Sequence, residues 1–209
     1  MSGFFITFEG GEGAGKSTQA RALTAALRAL GKTVVLTREP GGSPGAESMR
    51  ELLLFGDAPL SHRAQILAHM AARADHLDTL ILPALKRGEI VICDRFHDST
   101  MVYQGYGLAS AAPDILAFIR AQRALLACEP DLTLLLEVPV DTGAERVRIR
   151  GGRADRYEAE ARGFHERVAS GFASLAEDFP ERIARIDATR DEATVTSDVV
   201  ATTLHRLPR

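Results

Sequence analysis

The 209-residue chain has no asparagine at all. It therefore carries no N-glycosylation site, and it lacks the Asn-Lys-x-Asp segment with which GTPase switches read guanine. Cysteine is scarce, with only Cys93 and Cys128, and there is no CxxC pair. A structural zinc is disfavoured, and both thiols read as buried groups of a reducing compartment. No apolar run is long enough to cross a bilayer. Charge of neither sign dominates: 25 Lys and Arg face 28 Asp and Glu, for a net charge of −3. That balance gives no general reason to bind nucleic acid or membrane, so any basic surface must be local. Met1-Ser2-Gly3 leads directly into a β-rich run with no basic stretch before an apolar core, so no secretion signal is expected and the location expected is cytoplasmic. No repeat, low-complexity segment or linker divides the chain. With 45% apolar residues it can bury one sizeable core, and a single domain over 1–209 is expected.

What is present is an alternation of short β-rich runs with longer helical ones. Strands are expected at Phe4–Glu9, Thr33–Thr37, Glu89–Asp94, Leu132–Val138 and Arg182–Ile186. Helices are expected at Lys16–Leu30, Ala46–Phe55, His62–Lys86, Asp114–Ala127, Thr142–Ile149, Tyr157–Ala176 and Glu192–Leu207. In His62–Lys86 the expected apolar stripe is Leu67, Ala71, Ala74 and Leu77. Strands apolar throughout and separated by helices imply an α/β fold, a central parallel five-stranded sheet covered on both faces. Ligands of such sheets bind beyond the carboxyl ends of the strands.

The first strand runs into Gly10-Gly11-Glu12-Gly13-Ala14-Gly15-Lys16-Ser17, followed by Thr18 and a helix. This is the P-loop spacing. Its glycines let successive amides curl around phosphate oxygens, Lys16 can reach the terminal phosphates, and Ser17 can offer a hydroxyl to Mg²⁺. Asp94 closes the third strand and is the expected second Mg²⁺ handle. Arg95 follows it, with a guanidinium fork suited to a second phosphate group. Ser99, Thr100, Tyr103 and Gln104 can contact a sugar and base. Arg146, Arg148, Arg150, Arg153 and Arg156 crowd eleven residues around Gly151-Gly152. They read as an arginine-rich lid, about 146–157, that serves a moving phosphoryl group; the plainer reading is a solvated basic face paired with Glu145, Asp155 and Glu158. The six histidines show no metal-ligand spacing and read mostly as surface residues.

Taken together, these segments resemble the bacterial thymidylate kinase family, and the resemblance runs over almost the whole chain. It is carried by Phe8-Glu9-Gly10 into Gly13-Ala14-Gly15-Lys16-Ser17-Thr18, by Thr37-Arg38-Glu39-Pro40-Gly41-Gly42, and by Ala71-Ala72-Arg73-Ala74-Asp75-His76. Asp94-Arg95-Phe96, Ser99-Thr100, Tyr103-Gln104-Gly105, Pro130-Asp131-Leu132-Thr133 and Ile186-Asp187-Ala188-Thr189 continue it. The resemblance implies a P-loop NTPase fold, ATP and Mg²⁺ as cofactors, phosphorylation of dTMP to dTDP, and a homodimer. It also implies that Glu12 lies near the sugar 3′-hydroxyl and that Arg95 and Arg50 hold the dTMP phosphate. Arg73 and Thr100 would face the thymine, and Tyr103 would pack where a 2′-hydroxyl would collide. Arg148, Arg150, Arg153 and Arg156 would be lid arginines. The adenine pocket is marked only by Asp187-Ala188-Thr189 and the lid. One departure is His69, at the position where the family usually stacks an aromatic residue on the base; another is Val102, where Ala is common. The nearest alternative is a kinase for another nucleoside monophosphate or for a deoxynucleoside. The latter would need a carboxylate base, for which Glu9 or Glu12 would serve.

Overall fold

Every strand of the sheet runs parallel to its neighbours, in the order β2-β3-β1-β4-β5. The computed structural model describes residues 3–57, 59–151 and 155–208. The strands are β1 (Phe4–Glu9), β2 (Val34–Arg38), β3 (Ile90–Asp94), β4 (Leu132–Glu137) and β5 (Ile183–Asp187). Strand side chains alternate between faces, and here both faces are apolar. Ile6, Phe8, Ile90, Ile92, Leu132 and Leu134 form one side, packed with Leu23 and Leu27 of α1 (Lys16–Ala29) and Val195 and Val199 of α9 (Glu192–Arg206). Phe5, Val91 and Cys93 point the other way, against Leu77, Ile81 and Phe96. Cys93 and Cys128 are buried and unlinked, as expected.

The other helices are α2 (Pro44–Arg50), α3 (His62–His76) and α4 (Leu82–Lys86), then α5 (His97–Thr100), α6 (Pro113–Leu126), α7 (Val140–Arg150) and α8 (Arg162–Asp178). Of these, α2, α3, α5 and α7 contribute side chains to the site. A wide π-helical turn, Leu77–Ile81, joins α3 to α4 just before Pro83. Proline lacks the N–H that a regular α-turn would use, which accounts for the break in register there. A second π-helical stretch, Met101–Leu108, continues α5 without interruption. The helices expected from the sequence do not include this stretch, in which Gly105 and Gly107 mask the periodicity.

Two other expectations are corrected. Leu67 is 48% exposed and Ala71 lies outside with it, whereas Ile66, His69, Met70, Arg73 and His76 are buried. The inward face of α3 is therefore the one that carries charge, and its cations are paired there. The helix expected from Tyr157 begins instead at Arg162, and Tyr157 sits in a turn with its ring buried. His69, His76 and His97 are likewise buried rather than superficial.

The carboxyl ends of β1 and β3 lie side by side at the centre of the sheet. Glu9 ends one strand, Asp94 the other, and Arg95 N donates to Phe8 O at 2.9 Å. The loop after β1 is wedged against α7. A methyl on Gly13 would fall 2.1 Å from the Gly143 carbonyl oxygen, and one on Gly143 would fall 2.3 Å from that of Glu12.

Candidate active site

A cleft of about 910 Å³ opens over these strand ends. Its floor is the 10–18 loop. Gly15 precedes α1 in a left-handed conformation with φ 89°, no side chain caps the helix, and no acidic residue occupies its first turn. The amide donors of that first turn are therefore left for an incoming anion, and the helix dipole favours one. Lys16 Nζ folds back to the carbonyls of Gly10 (3.1 Å) and Gly11 (2.7 Å). Burial pushes its pKa down to about 8, with Arg95 adding to the shift and the nearby carboxylates opposing it. A phosphate group would supply the counter-charge this lysine lacks. Ser17 Oγ donates to Asp94 Oδ2, so a hydroxyl and a carboxylate converge at the cleft. Two hard oxygen donors suit Mg²⁺, which usually keeps several waters and takes its other oxygens from phosphates. Among the described residues no cluster of three or more His, Cys, Asp or Glu side chains offers a fuller cage.

Opposite the loop stands a wall of interlocked polar groups. Arg95 has φ 71°, a region that costs a non-glycine residue of the order of 1–2 kcal/mol. This backbone aims its guanidinium back across the cleft. There it donates to Glu12 Oε1 at 2.5 Å and to Gly10 O and Ser99 Oγ at 3.2 Å each, and it lies 4.7 Å over the Tyr103 ring. Tyr103 Oη donates to the same Glu12 oxygen at 2.7 Å. Burial opposes charge on Glu12, but Arg95, Lys16 and the Tyr103 hydroxyl outweigh it and hold the carboxyl down to about 2. Glu9 is tied up behind this wall. It accepts from Phe96 N (2.8 Å), Ser99 N (3.2 Å) and Ser99 Oγ (2.5 Å), and burial, with Asp98 nearby, raises it to about 7.

The deeper wall is built on Arg73, which is 2% exposed. It donates to Glu39 Oε2 (2.6 Å), Phe96 O (3.0 Å) and Thr100 Oγ1 (3.1 Å). Glu39 also meets His76 Nδ1 at 3.1 Å, and His76 Nε2 meets Thr37 Oγ1 at 2.7 Å. A buried guanidinium is tolerable only with such partners. Gln104 and His69 both reach Tyr157 Oη, at 2.9 and 3.1 Å. Burial, reinforced by Arg73 and Arg156, lowers His69 to about 3, so its ring is neutral at physiological pH rather than carrying a pH-dependent charge. Arg50 donates to Pro40 O at 2.8 Å from the cleft rim.

Most of the expected site residues thus meet in one cleft: Glu12, Gly13, Ala14, Gly15, Lys16, Ser17 and Thr18 on the floor, with Arg50, His69, Arg73, Asp94, Arg95, Thr100, Tyr103 and Gln104 around it. Gly10 and Gly11 turn their outer side to a smaller cavity behind the loop. The lid arginines divide. Arg150 lines the cleft and pairs with Glu158. Arg148 is 73% exposed, pairs with Glu145 and stands outside the cleft. Arg156 donates to Gly56 O at 2.7 Å and also lies outside the cleft lining, while Arg153 falls outside the described residues. For Arg148, the plainer reading of the basic cluster describes this state. Arg146, named in the basic cluster, lines the cleft, whereas sequence reading missed Glu39, Tyr157 and Arg190 as cleft residues. Glu39 alone had a signal, its place in the Arg-Glu-Pro-Gly-Gly segment; the others are brought in by the fold.

Three comparisons bear on this cleft. The family model described as thymidylate kinase matches residues 8–199. A thymidylate kinase of Gluconobacter oxydans is 63% identical over 186 residues, which are 89% of this chain and 87% of the relative. One of Caulobacter vibrioides is 47% identical over 206 residues, 98% of each chain. The crystal structure of thymidylate kinase from Ehrlichia chaffeensis aligns with a TM-score of 0.77 at 33% identity, covering 97% of this chain and 99% of that one.

Proposed function

The chain belongs to the thymidylate kinase family, and from that premise we propose how the cleft works. The reaction is phosphorylation of dTMP to dTDP at the expense of ATP. The observation that carries the site reading is the meeting of two anion receptors across one cleft, the Lys16 loop on one side and Arg95 with Arg50 on the other. ATP lies with its phosphates on the 10–18 loop, and dTMP lies along the wall with its phosphate on Arg95 and Arg50. The acceptor is already anionic, so no strong base is required. Neither of the two carboxylates nominated as a base is suited to be one: Glu12 is clamped by Arg95 and Tyr103, and Glu9 by backbone amides and Ser99. This favours a phosphate acceptor over a nucleoside hydroxyl.

Catalysis then consists of alignment and charge neutralisation. Lys16 follows the transferring group, and Arg95 holds the acceptor against it. Arg150 supplies further positive charge from the lid, with Arg148, Arg153 and Arg156 as candidates to join it on closure. Mg²⁺, held by Ser17 and Asp94, would neutralise charge on the terminal phosphates. Arg73 and Thr100 read the base edge, and Tyr103 supports the sugar beside Glu12, leaving no room for a 2′-hydroxyl. Arg146 Nη1, bonded to Ala188 O at 3.0 Å, joins the lid helix to the segment where adenine would lie.

The exposed Leu52, Leu67 and Ala71 on neighbouring helices support a homodimer. Free buried thiols support a cytoplasmic location, and among the described residues no helix is long and apolar enough to cross a membrane. The decisive assay offers the purified chain ATP and Mg²⁺ with dTMP, dUMP, UMP, AMP or thymidine and quantifies products by chromatography. dTMP should be the best acceptor, giving dTDP and ADP. A preference for thymidine would overturn the two-phosphate arrangement.

A further inference from the structure

Tyr157 stands at the end of the lid segment, yet its hydroxyl lies inside the base-side wall. The ring is 5% exposed, packs edge-on to Tyr103 at 5.5 Å and is stacked with Phe164 at 6.4 Å. Its turn is pinned by Asp155 Oδ1, which accepts from the amides of Tyr157 and Glu158 at 2.9 Å each. Arg156 N donates to Leu54 O at 3.2 Å, so the same turn is fastened to the far side of the cleft. Among the described residues the Tyr157 hydroxyl has two hydrogen-bond neighbours. Gln104 Nε2 donates to it at 2.9 Å, and His69 Nε2 lies 3.1 Å away. An amide N–H cannot accept, so of these two it is His69 Nε2 that takes the hydroxyl proton. A neutral imidazole that accepts at Nε2 carries its proton on Nδ1. The His69 and Tyr157 rings are tilted by 35° with centroids 6.4 Å apart, so they meet through this bond rather than by stacking.

We propose that Tyr157 is a positioning residue for the acceptor base. Through the directed chain from Gln104 to Tyr157 to His69 it fixes the tautomer and orientation of His69, and it ties the turn that ends the lid to the wall that meets the base. This rests on the reading above that the α3 and α5 wall receives dTMP. Burial and the two cations that bear on the ring, Arg73 from α3 and Arg156 from that turn, keep His69 neutral with or without the hydroxyl. The hydroxyl therefore acts on the tautomer and orientation of the ring and not on its charge.

The test uses the full chain and Tyr157→Phe, which keeps the ring. In the wild type, ¹⁵N NMR of histidine-labelled protein should show His69 protonated at Nδ1 and bare at Nε2. In Tyr157→Phe the KM for dTMP should rise about fivefold, the effect of one hydrogen bond, with kcat within about twofold. The ratio of variant to wild-type KM should stay flat from pH 8 to pH 6, because burial and the two arginines keep His69 neutral in both proteins. In a His69→Phe background the same substitution should add little. A proton on Nε2 in the wild type, or an equal effect of Tyr157→Phe in both backgrounds, overturns the proposal. If dTMP leaves the His69 and Tyr103 signals unmoved while the tautomer is as expected, the placement of the acceptor is what fails, and the proposal falls with it.

Discussion

The two sides of the cleft are built on opposite principles. On the base side, Arg73 is almost fully buried, and its donors are committed to Glu39, Phe96 and Thr100. On the lid side, Arg148 and Arg150 reach into solvent, and among the described residues they pair with carboxylates of their own neighbourhood, the exposed Glu145 and the largely buried Glu158. A buried cation with fixed partners is already oriented when a ligand arrives and loses little entropy on binding. An exposed arginine pair is worth little and is readily exchanged for a new partner. In the proposed arrangement recognition is therefore held in the folded wall, and the exposed lid arginines are left able to exchange partners.

The largest effect should come from the floor both sides share. Lys16→Ala should lower kcat by about 10²–10³-fold or more in a coupled ADP assay while the circular dichroism spectrum is unchanged. Next, Arg73→Ala leaves Glu39 buried without its guanidinium and should cost about 3–5 kcal/mol in urea unfolding. Arg148→Ala should leave the urea midpoint where it is and act, if at all, on kcat. Equal midpoint shifts in the two variants would erase the contrast between the sides. A smaller effect is expected on sugar choice: Tyr103→Ala should narrow the UMP against dUMP gap in kcat/KM by about tenfold. An unchanged ratio would remove the steric role of the ring. The smallest effect is a proton. Lys16 sits near 8 in the free protein, and a bound triphosphate would raise it, so ATP binding should take up about half a proton at pH 8. Affinity should then weaken as pH rises above that value, because the free lysine increasingly gives up the charge that binding needs. Calorimetry in buffers of different ionisation enthalpy reads this directly; zero uptake would mean that Lys16 is already fully charged.

What could be read in advance follows the same division. The loop from Gly10 to Thr18, Asp94 and Arg95 were legible because their chemistry is set by spacing along one stretch of chain. All five strands were legible as short runs rich in Ile, Val, Leu or Phe set between longer helical stretches. The inward face of α3 was misjudged because aliphatic residues were taken to mark the core. Glu39, donated by a loop 34 positions away from Arg73, makes the charged face the buried one. Tyr157 was invisible for a similar reason, since its two polar partners lie 88 and 53 positions away. The helical run beyond Thr100 was obscured by its glycines. Gly105 has a purpose that only packing reveals, since a methyl there would lie 2.7 Å from Leu116 Cδ2.

The bare backbones of Gly13 and Gly143 touch where the phosphate loop meets the first turn of the lid-bearing helix. Neither can gain a carbon atom without prising the two apart, so the near end of that helix is seated directly against the loop. A bulkier residue at Gly143, on a helix that follows the fourth strand rather than the first, is expected to loosen the grip on phosphate by lifting the loop from beneath.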